Sequence, residues 1–397
     1  MKKIQLFLLL FIFTLPLHAD PFKTAKAALK SKNNLEAAET ELLNFAADKA
    51  TPPSERARAY DMAAQLAHKI YTVENEKLYL KQKFDTLRFF NAIQRLYRYT
   101  ASCDSVESLP DEKGRVRREY GKSNREDRLR LRTGLLQGGK WMMQRRRYAD
   151  AARFFHTYSA TDSDLIATDT LRNQIALWTT KCAYAAKDMR LTLRYADRAI
   201  ATGQDVAHSR EYKARALLAT GDTASWEKEL RKGMEATPRH SYFYKTSYTR
   251  MLRKNNLDAA LYWTKRMIKS CPDSAYLRQA LAHTYYIRGD LDNCIVTAED
   301  QLTRTPDDYK SLYYVGSSWL IKAEDFEKSM STDAKSVQFR DQRRQLTQMY
   351  QNARRPLETY RRLRPEDVSV WASMLYKIYF SLNMGTELDE VERLMKN

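Results

Sequence analysis

An all-α fold follows from three features of the chain: few chain-turning residues, apolar residues at helical spacing, and an internal period. The 397 residues include only 11 Gly and 10 Pro, against averages of roughly 7% and 5%. That scarcity excludes a β-sandwich, a collagen-like chain and a Gly/Pro-rich disordered chain. Hydrophobic residues make up 43% and aromatics 11%, with 25 Tyr among them, enough apolar surface for a continuous core. Charged residues reach 29% with both signs mixed, as on the exposed faces of amphipathic helices. The length allows two or three domains or one long repeat array. The period decides for the array: Pro238, Pro272 and Pro306 lie 34 residues apart, as do Gly221, Asn255 and Gly289.

The first residues stand outside that fold. Lys2 and Lys3 precede an apolar run from Leu6 to Leu17, and Ala19 offers a small residue before Asp20 and Pro21. This is the pattern of a secretory signal peptide over residues 1–19, cleaved after Ala19, and the run is shorter than the roughly 20 residues of a spanning helix. The mature chain is therefore expected outside the cytoplasm, periplasmic or secreted, and not membrane-spanning. It carries Cys103, Cys182, Cys271 and Cys294. An even count in an oxidising compartment allows one disulfide, but each Cys sits where a helix wants a small buried residue. Structural thiols are the expectation, and no Cys or His spacing suits a metal. Cys271 and Cys294 fall near opposite ends of parallel helices, about 15 Å apart, too far for a bridge that needs Cα atoms within about 7 Å.

A 34-residue unit with a turn in its middle and Pro at its end is a pair of helices. Pro ends the second helix because it cannot donate to the hydrogen-bond ladder and pushes its predecessor out of the α region. The pattern resembles the tetratricopeptide (TPR) repeat, which wants small residues at positions 8 and 20, a large one at 11 and Pro at 32. Position 8 is Ala214, Tyr248, Ala282 and Gly316; position 11 is Leu217, Met251, Tyr285 and Trp319; position 20 is Trp226, Ala260, Cys294 and Lys328. Small residues let the paired helices approach, and large ones fill the groove beside them. Tyr248, Trp226 and Lys328 depart from the motif.

Further copies extend the array in both directions. Asn33 to Ala38 repeats almost unchanged as Asn255 to Ala260, placing the first pair at the start of the mature chain. Glu74 to Cys103 reads as one long amphipathic helix, and Ser105 to Asp127 as a polar loop or helical lead-in. Leu135, Gly138, Gly139, Met142, Ala151 and Phe155 fit a pair, and Leu171 to Ile200 another. Pro365 falls 25 residues past the position the frame gives it at Arg340, so that unit is expected to carry an insertion between its helices. Trp371 opens a last, capping pair with its turn at Gly385. The resemblance thus implies a right-handed α-solenoid of about nine stacked antiparallel pairs. Its divisions are residues 20–103, the basic loop or lead-in 104–127, and the main array 128–397.

Catalytic chemistry finds little support. Gly134 to Lys140 spells the start of a phosphate-binding loop, but Trp141 replaces the Ser/Thr and no strand precedes it. Those glycines are explained as close-packing residues of a repeat helix. The six His are scattered, with no HExxH and no nucleophile elbow. No catalytic residue, no metal and no cofactor is assigned, and the chain is read as non-enzymatic.

The charge is informative. The formal net charge is +19. Lys113 to Arg147 holds thirteen basic and three acidic residues, and Arg340 to Arg364 eight and two. Two function classes follow. In the first, the chain is a scaffold or adaptor that takes a protein or peptide partner on the concave face. The resemblance places that face at Tyr242, Lys245, Tyr276, Gln279, His283, Tyr286, Lys310, Tyr313 and Ser317. Tyr offers contact area with a polar tip at small entropic cost. In the alternative, the Arg-rich segments bind an envelope polyanion, phosphate or acidic glycan; nucleic acid is not expected for an exported chain. Arg145, Arg146 and Arg147 fall in a turn and form a basic edge for an acidic partner, continued by Lys140 and the arginines from Arg115 to Arg132.

Overall fold

The computed structural model describes residues 20–111, 113–161 and 169–396, so the expected leader lies outside them. Among these residues there are eighteen α-helices and no strand. Within each compact unit most helices pack on their chain neighbours. The chain divides into two such units at Thr223 and Ala224. The first contains α1 (Pro21–Ser31), α2 (Leu35–Ala47), α3 (Pro53–Tyr79), α4 (Thr86–Glu107), α5 (Gly121–Gln144), α6 (Tyr148–Ala160), α7 (Arg172–Ala185), α8 (Met189–Ala201) and α9 (Val206–Ala219). The second contains α10 (Thr223–Ala236, from its second residue), α11 (Ser241–Arg253), α12 (Leu257–Ser270), α13 (Ala275–Arg288), α14 (Leu291–Arg304), α15 (Tyr309–Lys328), α16 (Val337–Leu363), α17 (Val368–Ser381) and α18 (Gly385–Lys396).

One turn recurs. After α3, α5, α7, α9, α11, α13 and α17 a single residue adopts the left-handed conformation: Lys81, Arg146, Lys187, Gly221, Asn255, Gly289 and Asn383. In each case its N–H and the next N–H bond back to the last helical carbonyls, as Gly289 to Tyr286 at 3.1 Å and Asp290 to Tyr285 at 3.0 Å. This double bond satisfies carbonyls that the helix end leaves unpaired and reverses the chain within a few residues. Asp188, Asn256 and Asp290 then cap the following helix through their side chains. Repetition of one short turn is what makes the pairs repeat.

Close approach inside a pair rests on missing side chains. A Cβ on Gly138 would sit 2.6 Å from the Phe154 ring, and one on Gly139 2.5 Å from Phe155. Gly316 faces Leu357 in the same way, and Gly233 on α10 faces Phe243 of the next pair. Of the apparent phosphate-loop glycines, Gly138 and Gly139 are thus seats for α6 aromatics, and Gly134 is one for Ile93 of α4. Cys103, Cys182 and Cys294 are buried free thiols and Cys271 is half-buried; burial pushes the first up to about 12 and the other two buried ones to about 11.

Four expectations are corrected. The helix read from Glu74 to Cys103 is two helices, broken at residues 80–85. Lys81 turns left-handed there, and the buried Glu74 carboxylate accepts the Asp85 N–H at 2.9 Å. That bond ties the break together. In the lead-in over 105–127, α4 runs on to Glu107 and α5 starts at Gly121. The 25 extra residues before Pro365 form no inserted domain. They lengthen α15 to 20 residues and α16 to 27, against 14 in each helix of the preceding pair, and enlarge the turn between them. Lys328 therefore ends a first helix and does not open a second. Finally, the last turn is built on Asn383, at φ 55°, and Gly385 is the first residue of α18.

Candidate partner-binding face

In the second unit, α11, α13, α15 and α16 bring a set of tyrosines and His283 into one chain of ring contacts. Tyr244 and Tyr248, one turn apart on α11, stack at 5.6 Å with planes 22° apart. Tyr244 meets Tyr276 edge-on at 6.0 Å, and Tyr248 meets His283 at 6.5 Å, both on α13. His283 and Tyr286 then contact Tyr314 on α15 at 5.9 and 5.6 Å. Tyr286 also touches Tyr313 at 6.0 Å; Tyr360 on α16 receives Tyr313 at 6.2 Å and Tyr309 at 6.1 Å. Edge-to-face pairs at these separations contribute beyond the area they bury. Every junction crosses from one helix pair to the next or lies within a single pair, so the rings track the stacking direction.

Depth separates two layers in this chain. Tyr244 and Tyr248 are buried, at 3% and 6% exposure, while Tyr276 reaches 36%. Tyr286, Tyr313 and Tyr314 are half-buried. The Tyr248 hydroxyl is fixed by the Ala280 carbonyl at 2.9 Å, Thr284 Oγ1 at 3.0 Å and His283 Nδ1 at 3.1 Å. Tyr244 shares a 2.6 Å hydrogen bond with Thr264. Burial raises the pKa of Tyr244 and Tyr314 and pushes Tyr248 and Tyr313 up to about 12, whereas burial lowers that of His283. At neutral pH the row is uncharged. Its hydroxyls serve as hydrogen-bonding tips, and none is activated as a base or nucleophile.

One end of the row opens into a cleft of about 370 Å³ bounded by Tyr244, Tyr276, Leu277 and Met267, with Arg239 and Lys245 among its lining residues. Lys245 Nζ lies 4.9 Å from the Tyr276 ring centroid, a cation–π distance. At the other end Arg364 sits 5.2 Å over Tyr309 while paired with Asp367 at 3.1 Å.

Tyr276, His283, Tyr286 and Tyr313 belong to the row; Lys245 and Lys310 are exposed; Tyr242 meets Phe243 edge-on at 5.3 Å. Gln279 is half-buried and donates to Asp308 at 2.9 Å. Ser317 is a correction: it is 2% exposed and its hydroxyl bonds the Tyr313 carbonyl of its own helix at 2.7 Å. A side chain that short is covered by its neighbours. Tyr244, Tyr248, Tyr314, Tyr309 and Tyr360 were missed. The recurrence of Tyr at four-residue steps and as a Tyr313–Tyr314 pair was the available signal.

The basic segments are divided between surface and interior. Arg145, Arg146 and Arg147 occupy the α5–α6 turn and are exposed; Arg145 lies 4.0 Å over Trp141 and Arg147 bonds Asp150 at 2.8 Å. Along α5 the expected continuation is mixed, with Arg130 and Lys140 exposed. Arg128 is 6% exposed and pairs with Asp104 at 2.8 Å, while Arg132 stacks 3.9 Å over Tyr158 and pairs with Asp169 at 3.1 Å. Lys140 packs 5.0 Å over Trp178. In the second Arg-rich segment, Arg361 pairs with Glu390 and Arg364 with Glu366 and Asp367. Among the described residues no group of three or more His, Cys, Asp or Glu is placed to hold a metal ion, and no helix is long and apolar enough to cross a membrane.

No family model and no curated protein matches the chain. Solved structures do. The C-terminal part of a TPR repeat-containing protein from Cytophaga hutchinsonii is 12% identical over 64% of this chain and 91% of its own, with a TM-score of 0.41. A TPR repeats protein from Bacteroides fragilis is 13% identical over 66% and 98%, with a TM-score of 0.30. At such values the likeness carries nothing about function, and the repeat architecture stands on the helix packing and turns described above.

Proposed function

We propose that this array of TPR-like helix pairs is a non-enzymatic scaffold whose second unit binds a segment of a partner protein along its tyrosine row. The observation that carries this reading is the unbroken chain of ring contacts from Tyr244 to Tyr309, neutral at physiological pH and partly open to solvent. Aromatic side chains anchored by buried neighbours lose little entropy on binding and supply the anchors that dominate interface energetics. The leader-like residues 1–19 support a partner in the cell envelope and a mature chain starting at Asp20.

The test is affinity capture from envelope extract with wild type and a Tyr276→Ala/Tyr313→Ala variant. The tyrosine-row reading expects a captured protein to remain bound at roughly 0.5 M salt, because apolar contact is little screened. The variant should bind it at least tenfold more weakly, about 1.4 kcal/mol or more. Equal capture by both proteins excludes the row as the binding face. N-terminal sequencing of the exported chain checks the cut after Ala19.

A further inference from the structure

One edge of the first unit combines cations at strained positions with an exposed apolar tip. Helices alternate in direction, so the turns after α1, α3, α5 and α7 lie at the same end of that unit. Contacts at that end agree: Lys32 pairs with Glu76 at 3.4 Å, and Phe90 at the start of α4 meets Trp141 near the end of α5 at 5.8 Å. Lys81, Arg146 and Lys187 hold the left-handed place of the recurrent turn, and Lys32 a left-handed place in the differently bonded α1–α2 turn, at φ between 55° and 63°. All four are exposed. In the turns after α9, α11, α13 and α17 the same place is held by Gly221, Asn255, Gly289 and Asn383. Gly and Asn are the residues that tolerate this conformation, and a long side chain there is disfavoured. Four successive cations at disfavoured positions are not explained by folding.

The α3–α4 turn adds the second feature. Leu78, Tyr79 and Leu80 are 45%, 85% and 60% exposed. No other three consecutive large apolar side chains are exposed among the described residues. The turn that holds them is closed by Lys81 N–H to Leu78 at 3.1 Å and Gln82 N–H to Lys77 at 2.8 Å. Such a turn ordinarily buries an apolar pair between its ends, but here those two places are Lys77 and Gln82. The apolar residues project outward on a fixed support, flanked by exposed Lys81 and Lys83.

We infer that this edge docks on the surface of an anionic lipid bilayer, with the Tyr79 tip entering the interface and the turn cations meeting headgroups. A convex apolar tip ringed by cations has nothing to offer a purely polyanionic chain, which would leave Leu78, Tyr79 and Leu80 in water. A bilayer surface supplies both halves at once. Tyr and Leu partition into the interfacial region, and cations near an anionic leaflet each strengthen attachment. The cleft on the tyrosine row is lined by other residues.

The experiment uses the whole chain with vesicles of phosphatidylcholine alone or mixed with phosphatidylglycerol. Tyr79→Trp, read by difference from wild type, places an indole at the tip itself, so an N-terminal leader acting elsewhere cannot imitate the result. The expected outcome is a blue shift of the introduced indole and its quenching by bromine-labelled lipid, only with the anionic vesicles. Lys81→Asn/Arg146→Asn/Lys187→Asn keeps residues that suit the turn, so the melting temperature should hold or rise. Its affinity for anionic vesicles should fall roughly a hundredfold, from three cations at about fivefold each. Tyr79→Ser/Leu80→Ser should weaken binding at both low and high salt. The inference is overturned if the introduced indole stays water-exposed with anionic vesicles, if the Asn variant binds as wild type does, or if the indole responds to a captured protein and not to lipid.

Discussion

Single residues in this protein are set by what faces them, and glycine shows it most sharply. Gly139 lies inside α5, where Ala would raise helix propensity by about 1 kcal/mol. The place of its missing Cβ is taken by the Phe155 ring, 2.5 Å from where that atom would stand. Overpacking a rigid ring costs typically about 1–3 kcal/mol, so the packing effect wins. Gly139→Ala should destabilise the chain by about 1–2 kcal/mol in urea titration, whereas Gly121→Ala, with open space around it, should stay within about 0.5 kcal/mol. A stabilised Gly139→Ala variant would show that α5 and α6 pack less closely than described. The role of these glycines was legible in sequence because their spacing matched the pair motif better than a phosphate loop. The cations of the left-handed turns were not legible, since Gly and Asn announce that conformation and Lys or Arg do not. Ser317 was misplaced because its number in the motif is right for an exposed wall, but its short side chain is covered and bonds back to the Tyr313 carbonyl.

At the scale of elements, the 34-residue period gave helix starts and turns wherever the helices kept their length. It failed where residues were added without a marker. Extension of α15 and α16 uses ordinary helix-forming residues, so sequence registers only the displaced Pro365. The break between α3 and α4 was hidden because Leu78, Leu80 and Phe84 continue the apolar spacing through residues that the structure leaves exposed or half-buried. Trp371 was placed correctly. On α17 it is 1% exposed, and Arg361 stacks 4.9 Å over it. Its cluster includes Leu346, Tyr350, Leu357 and Tyr360 from α16. Trp371→Ala should cost roughly 3–5 kcal/mol. Trp371→Phe should cost much less, because the indole N–H is buried with no hydrogen-bond partner to lose. Truncation at residue 367 removes α17 and α18 together and should lower the melting temperature further, by uncovering that cluster. Comparable stability of the Ala variant and wild type would mean the array does not close there.

The whole molecule carries two surfaces of different chemistry, one in each compact unit. The tyrosine row of the second unit is neutral and aromatic; the turn edge of the first is cationic with an apolar tip. Composition could announce both, through 25 Tyr and a net charge of +19, but could not sort them. Much of the charge counted in the two Arg-rich segments is taken up by internal pairs such as Arg128 with Asp104 and Arg361 with Glu390. The cations of the turn edge come from single residues in successive turns, which no local charge count detects. The two surfaces should therefore fail independently. Tyr276→Ala/Tyr313→Ala should lose the captured protein and keep vesicle binding, while Lys81→Asn/Arg146→Asn/Lys187→Asn should do the reverse. Raising salt from roughly 0.1 M to about 0.5 M shortens the screening length to a few ångströms. That change should weaken the vesicle complex at least tenfold and leave the protein complex within about twofold, measured on wild type by titration against each partner. If both complexes weaken together, or if one set of substitutions abolishes both, then a single charged surface serves both partners and the tyrosine row is a structural spine of the second unit.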